Sequence, residues 1–459
     1  MAEKSTVSIA KTLAKLLDEK KYSTIKDILI TMNPADVAAE FEDVEVERIP
    51  LLFRLLPKEQ AADTFVEMDP EFQELLIKGF SDSELKEVLD ELYVDDAVDI
   101  VEEMPANVVR RILATADPEM RRDINGILRY PEDSAGSIMT TEYVSLRPAM
   151  TVGEAILRIR RTGIDKETIY TCYVTKNRYL EGVLTVRDLL LAQDDDTLIS
   201  DIMETNVISV GTHTDQEEVA QMFKKYDFMA LPVVDMDGRM VGIVTFDDAM
   251  DVLEEETTED IEIMGGMSPS EKTYLHAGPF DLFKQRIPWL MLLMVSATFT
   301  GLIINNFESA LAAQVVLTAF IPMLMDTGGN SGSQSSVTII RAISLGEVEF
   351  RDLPGIIWKE IRTAVLCGVA LSAVCFAKIM LVDKLLLGND QVTWLVALVV
   401  CMAIAVTVVV AKIIGCTLPM LAKKVGFDPA VMASPFITTI VDALSLIVYF
   451  AIAKSLLFA

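Results

Sequence analysis

Histidine and cysteine are scarce: His213 and His276 stand far apart, and only five cysteines occur in 459 residues. Cys172 is alone in the first half, while Cys367, Cys375, Cys401 and Cys416 lie in or beside apolar segments. No pair has the spacing of a zinc knuckle or a redox motif, so structural zinc, CxxC chemistry and a disulfide framework are excluded. The two histidines, with no second ligand near either, read as surface or cap residues. No constellation of nucleophile, base and oxyanion donors is present, which excludes an enzyme. Positive charge is also short, with 40 Lys and Arg against 69 Asp and Glu, a net charge of −29. So acidic a surface repels nucleic acid and attracts cations. The deficit is uneven: from Arg286 onward there are 10 acidic and 11 basic residues, leaving 59 and 29 before it. The opening stretch, MAEKSTVSIAKTLAKLLDEKK, has no continuous apolar run, so it is not expected to be a signal peptide and the soluble half is expected in the cytoplasm.

Long apolar runs are concentrated in the last third. The final one, residues 430–453, is long enough to cross a bilayer, yet holds one carboxylate, Asp442, near its middle. An acid at that depth costs at least about 2.5 kcal/mol, which calls for a compensating use. Pro435 and Thr438 precede Asp442 by seven and four residues and share its helical face, with Thr439 beside them. Two readings follow: an acid paired to a base on another helix, or a cation path with Asp442 inside it. Lys378 and Lys412 are the bases to consider, and both are expected near span ends, where they snorkel to the interface.

Residues 1–133 read as short helices in repeats, with Pro or Asp near helix starts and apolar residues at three- and four-residue spacing. Their acids, among them Glu59, Asp95 and Asp99, read by default as a solvated face. Residues 134–251 change to alternating strands and helices and form a tandem repeat, 134–198 and 199–251. AGSIMTTEYVSLRPAMTVGEAILRIRR corresponds to ISDIMETNVISVGTHTDQEEVAQMFKK, and LEGVLTVRDLLLA to MVGIVTFDDAMDV. This resembles a CBS domain pair. The resemblance implies that a Gly-apolar-apolar-Thr-x-x-Asp motif holds an adenine nucleotide such as ATP, its Asp taking ribose hydroxyls. Thr185 with Asp188 is the better candidate, since Arg187 can face phosphate and Tyr170 can stack on the base, whereas Asp247 beside Thr245 and Asp248 repels phosphate. Many such pairs act only as dimerising scaffolds, and that alternative stands open.

Residues 251–263, DVLEEETTEDIEI, put Asp251, Glu255, Glu259 and Glu262 on one helical face, where like charges repel. Gly265 and Gly266, then Ser268 and Pro269, mark a joint before HAGPFDLFKQRIPWL, so 252–283 read as an acidic connecting helix and 284–459 as a membrane domain. Five spans are expected, near 288–306, 310–341 with an interruption, 363–382, 392–414 and 430–453. Flanking Lys and Arg place the amino end inside and the carboxyl end outside. The second span contains IPMLMDTGGNSGSQSS, too polar for a lipid-facing helix, so it should pack on the Asp442 helix or line a pathway.

The string Pro322-x-Leu-x-x-x-x-Gly329-Asn330-x-Gly332-x-Gln334 closely resembles the signature of the MgtE magnesium channel family. The resemblance covers the chain in the family's order: an all-α superhelical amino domain, an α/β CBS pair, a plug helix and an all-α domain of five spans. It implies a homodimeric Mg²⁺ channel in the plasma membrane, a pore on the dimer axis holding Asp442, and a pore lining that includes Gly329, Asn330, Gln334, Pro435, Thr438 and Thr439. It also implies regulatory Mg²⁺ sites between the soluble domains and the plug helix, matched by Asp248, Asp251, Glu255, Glu256, Glu259 and Asp260, and loosely by Glu59, Asp95 and Asp99. Acid-rich faces without histidine or thiolate suit the same hard cation. The competing readings are a secondary carrier of Mn²⁺ or Co²⁺, and a membrane-anchored CBS sensor that does not transport.

Overall fold

The computed structural model describes residues 9–270, 274, 277–308, 312 and 314–457; His276 lies outside the described residues. The chain divides into two compact units, Met1–Leu253 and Glu254–Ala459, each taken by itself below.

The first unit begins with ten α-helices among the described residues, from α1 (Ile9–Asp18) to α10 (Pro118–Ile127). Their starts follow local chemistry. Asn33 caps the helix that Pro34 opens, Ser81 and Glu84 form a reciprocal capping box, and Asp117 accepts from the amides of Glu119 and Met120. Each helix buries one stripe, and Phe53, Phe65 and Phe80 meet at ring centroid distances of 5.4 to 6.4 Å. Of these helices, α5 (Lys58–Val66) and α8 (Val94–Glu103) carry the amino-domain acids singled out above.

The tandem repeat then forms two three-stranded sheets. The first sheet holds β1 (Tyr143–Leu146), β2 (Thr168–Lys176) and β3 (Tyr179–Thr185), with α11 (Val152–Thr162) and α12 (Val186–Leu191). After α13 (Ile199–Ile202), the second holds β4 (Val210–Gly211), β5 (Ala230–Val234) and β6 (Met240–Thr245), with α14 (Gln216–Tyr226). In each sheet the first pair is parallel and the second antiparallel. The leading segment of each repeat lies on the last strand of the other. Met139 and Thr140 cover Gly242 so closely that a Cβ there would meet them at 2.6 to 2.7 Å, and Met203 and Glu204 cover Gly182 in the same way, at 2.6 to 3.0 Å. The sequence repeat is therefore an interlocked pair related by pseudo-twofold symmetry. Its second sheet shares a continuous apolar core with the amino-terminal helices through Val210, Leu231, Val233 and Val244.

Helix α15 (Phe246–Met264) begins inside the second repeat, earlier than the expected start at 252, because Thr245 and Asp248 set up its first turn. It stops at Gly265 and Gly266; Gly266 has φ of +71°, which favours glycine.

In the second unit, four helical segments among the described residues are long and apolar enough to cross a membrane: Pro279–Asn306, Phe350–Leu386, Trp394–Val425 and Pro429–Leu457. They contain α16 (Pro279–Asn306), α18 (Leu353–Lys378), α19 (Trp394–Val425) and α20 (Ser434–Leu457), and between the first two lies the polar α17 (Ile321–Ser344). The expected interruption of the second span is corrected. The IPMLMDTGGNSGSQSS stretch is a continuous helix, not a broken one, because its glycines are used for close approach: a Cβ on Gly329 would meet Thr438 at 2.9 Å, and one on Gly332 would meet Ile437 at 2.7 Å. Pro435 likewise interrupts nothing. It lies at the start of α20, where a missing amide hydrogen costs no helical bond.

Candidate functional site

In the first unit, Asp95 on α8 points into the junction with the first repeat and is only 6% exposed. Glu142, just before β1, accepts the Val94 amide at 3.0 Å, and Glu167 immediately precedes β2. One oxygen from each of Asp95, Glu142 and Glu167 lies within 4.8 Å of the others. Among the described residues the buried Oε2 of Glu167 has no hydrogen-bond partner, and Asp95 Oδ1 accepts from the Asp96 amide at 3.1 Å. An oxygen-only donor set of this kind could hold a hard divalent cation.

Electrostatics point the same way. Burial, then Asp248 and Glu167, drive the Asp95 carboxyl well above the ordinary range. Burial with Asp96 and Asp248 pushes Glu167 to about 8, and burial with Asp248 and Asp247 pushes Asp96 to about 7. Asp248 is held in place by Thr245, whose hydroxyl donates to its Oδ2 at 2.6 Å. Asp99 is exposed on the flank of α8 with Asp248 and Asp96 as charged neighbours. Glu59 on α5 is farther out: it acts on Asp63, and Asp63 in turn on Asp96. The structure thus gathers Asp95, its neighbour Asp96, Asp99 and Asp248, leaves Glu59 at the margin, and adds Glu142 and Glu167, which no local spacing could have assembled.

The nucleotide candidates converge on one exposed rim. Thr171 is paired with Thr185 across β2 and β3, so Tyr170, 68% exposed, stands beside the start of α12. Thr185 and Asp188 form a capping box, with the Thr185 amide and hydroxyl donating to Asp188 Oδ2 at 2.8 and 2.6 Å. Oδ1 is the carboxylate oxygen outside this box, and Arg187 is exposed next to it.

Asp251, Glu255, Glu256, Glu259 and Asp260 all lie on α15. In the second unit the end of this helix is anchored: Ile263 and Met264 pack on Ile340, Ala430 and Ala433, and a Cβ on Gly266 would meet Pro435 at 2.9 Å. The acidic helix therefore ends against the entry of α20.

Helices α17 and α20 run antiparallel, since Gly332, Gly329 and Gly328 meet Ile437, Thr438 and Val441 in turn. Three residues from Gly329 on α17 is Asp326, and four from Thr438 on α20 is Asp442, so the two acids lie at the same level; Asp326 is the charged neighbour acting on Asp442. The Asn330 amide donates to Asp326 at 2.9 Å. Asp326, Asn330, Gln334 and Thr338 form an exposed stripe at four-residue spacing, whereas Gly328, Gly329, Gly332, Ser335 and Ser336 are buried. Thr438 and Thr439 both donate to the Pro435 carbonyl, at 3.0 and 3.1 Å, leaving their oxygens to accept. Asp442 is half-buried and has no ion-pair partner among the described residues. Neither base considered for it is available: Lys378 pairs with Asp383 at 2.8 Å, and Lys412, expected to snorkel, is instead 6% exposed beside Ser335 and Glu360.

Residues 321–452 match the MgtE family described as divalent cation transporters, residues 32–133 its intracellular N domain, and residues 135–195 and 199–255 the CBS domain. The chain belongs to the MgtE family. It is accordingly a multi-pass membrane protein and no enzyme. The magnesium transporter MgtE of Thermus thermophilus is 38% identical over 462 aligned residues, which cover 100% of this chain and 99% of that one. The magnesium transporter MgtE of Bacillus subtilis is 31% identical, over 96% of this chain and 95% of its own. Among solved structures, the cytosolic domain of the Mg²⁺ channel MgtE in complex with ATP is 40% identical, covers 53% of this chain and 99% of that one, and has a TM-score of 0.51.

The raised carboxyls of the acidic junction set a pH dependence. With folded values near 7 and 8 for Asp96 and Glu167, the native state holds more protons than the unfolded chain from about pH 4 upward, so metal-free stability falls as pH rises through that interval. A bound divalent cation reverses the trend. Thermal unfolding of the purified chain should show a larger Mg²⁺-induced rise at about pH 8 than at about pH 6. Glu167→Gln should raise the metal-free transition at about pH 8 and shrink the Mg²⁺ increment.

Proposed function

We propose that the protein is a homodimeric Mg²⁺ channel of the plasma membrane that imports the ion and is closed by cytoplasmic Mg²⁺. The observation that carries this reading is the exposed polar stripe of α17, Asp326, Asn330, Gln334 and Thr338, beside the unpaired Asp442. In lipid such a face needs water or protein against it, and an ionisable residue within a span marks an ion path. Apposing two copies across a twofold axis encloses the stripe and brings two Asp442 carboxylates to one level. Magnesium dehydrates reluctantly, so a wide lining of Asp442, Asn330, Gln334, Thr438 and Thr439 that accepts its bound waters suits it better than a tight cage. A membrane-anchored sensor has no use for such a face.

Closure is assigned to Mg²⁺ held by Asp95, Glu142 and Glu167, by Asp99 and Asp248 beside them, and by Asp251, Glu255, Glu256, Glu259 and Asp260 along α15. Like charges crowded on that helix are relieved by a divalent ion, and the end of α15 against Pro435 gives its position a mechanical route to α20. An adenine nucleotide is assigned to Tyr170, Thr185, Arg187 and Asp188, with ATP the first to test because a relative's cytosolic domain was solved with it.

Three outcomes are expected. Asp442→Asn keeps shape but removes the pore charge, so Mg²⁺ uptake into liposomes should be lost while thermal unfolding in detergent is nearly unchanged; normal uptake by a stable protein would remove Asp442 from the pore. Neutralising Asp251, Glu255, Glu256, Glu259 and Asp260 together should leave currents in excised patches that internal Mg²⁺ no longer shuts, whereas unaltered inhibition would sink the gate assignment. Calorimetry should show ATP binding by the wild type and none by Asp188→Ala, and equal affinity in both would exclude this nucleotide site.

A further inference from the structure

Lys412, Glu360 and Ser335 belong to none of the cation sites above, yet they form the most deeply placed charged group of the second unit's helices. Lys412 of α19 is 6% exposed, and the Glu360 side chain of α18 is 16% exposed. The Ser335 hydroxyl of α17 donates to Glu360 Oε2 at 2.7 Å and accepts from Lys412 Nζ at 3.1 Å, while the two charges stand 3.7 Å apart. Each of three helices contributes one member. The ion pair is neutral as a whole, so it adds no charge to an ion path.

Its place on α17 gives it a use. At about 100° per residue, Ser335 and Ser336 lie about 120° and about 140° around the helix from the middle of the stripe of Asp326, Asn330, Gln334 and Thr338. The Ser336 hydroxyl donates to the Met432 carbonyl at 2.5 Å, in the turn that leads into α20. Just before these two polar ties the buried face of α17 is Gly328, Gly329, Ser331 and Gly332, with Leu324 and Ile339 farther along it, and a Cβ on Gly415 of α19 would collide with the Gly332 carbonyl. Small residues let membrane helices approach, but they carry no side chain that resists rotation, and lipid provides little hydrophobic drive to hold one orientation. Hydrogen bonds from a buried ion pair do resist it, because turning the helix would strand charge in an apolar surrounding.

We propose that Glu360, Lys412 and Ser335 are positioning residues for ion passage, a neutral three-helix clamp that fixes the rotation of α17 and so the aim of its polar stripe. The proposal rests on the pore reading above. The clamp touches no ion itself; it acts through Asp326, Asn330 and Gln334.

The test uses the full chain in liposomes, with Mg²⁺ uptake measured over a range of Mg²⁺ and with Mn²⁺ as competitor, beside thermal unfolding in detergent. Two variants serve: Ser335→Ala, which keeps both charges, and the double change Glu360→Gln with Lys412→Met, which leaves no unpaired ion. Both should unfold near the wild-type temperature, while uptake per folded protein falls roughly ten- to a hundredfold, as a displacement near 1 Å can cost a positioned site, and preference for Mg²⁺ over Mn²⁺ declines. Wild-type uptake and wild-type preference in Ser335→Ala would overturn the proposal, whether or not the double variant folds. If Asp442→Asn loses uptake in the same assay while both clamp variants behave as wild type, the clamp falls and the pore reading stands; if Asp442→Asn conducts normally, the pore reading falls on its own evidence.

Discussion

Crowded carboxylates with little compensating positive charge are the constraint on which both units turn. Around α8 the chain folds Asp95, Asp96, Glu142, Glu167 and Asp248 into one junction, and the cost is visible as carboxyls that keep their protons near neutral pH. A protein could neutralise such a junction with lysine or arginine. Here Lys166 acts on Glu142, while acids are the charged neighbours of Asp95, Asp96 and Glu167, and a cation bound by the folded state alone would stabilise it by mass action. In the proposed reading, sensing a divalent cation and stabilising the fold are the same event. The second unit repeats the constraint among its apolar helices: Asp326 and Asp442 share a level, and Lys412, the buried base of that region, is already committed to Glu360.

The two copies of the tandem repeat show how one local device is turned to two ends. Thr185 with Asp188 and Thr245 with Asp248 have the same spacing and the same hydroxyl-to-carboxylate bond of 2.6 Å. In the first copy both residues remain exposed beside Tyr170, whereas Thr245 is 5% exposed and its partner Asp248 faces the acids of α8. Burial against the amino-terminal helices, not the motif, makes the second copy part of the acidic junction. The close contacts at Gly182 and Gly242 lock the two copies together.

Close packing in the membrane helices follows a different rule from that of the soluble unit. The amino-terminal helices bury leucine, isoleucine and phenylalanine, which water drives together. Helix α17 instead approaches its neighbours through Gly328, Gly329 and Gly332 and is tied by Ser335 and Ser336. That choice leaves the opposite face polar and exposed, the arrangement an ion path needs. The end of α15 meets the same region through Ile263, Met264 and Gly266, so an acidic helix outside the spans has a firm contact with the start of α20.

Much of this was legible in the chain itself. Apolar runs, the tandem repeat, the acidic stretch before the spans, and the lone Asp442 are local patterns, and local patterns survive without coordinates. The family string carried the architecture and the class of function for the same reason. Positions that depend on helix faces from distant segments were not legible. Glu142 and Glu167 are 47 and 72 residues from Asp95, and only the packing of the first repeat on α8 brings their oxygens together. The glycines of IPMLMDTGGNSGSQSS read as a break because glycine disfavours an isolated helix; close neighbours make them the reason the helix fits. Lys412 read as a snorkelling residue because a chain position near the end of an apolar run says nothing of the acid facing it from another helix. The sequence by itself determined which segments fold as helix, strand or span and which cation chemistry the chain can support, since those depend on composition and short-range spacing; which carboxylates share a site and which lysine is taken was decided by the tertiary structure, since electrostatic energy depends on distance in space.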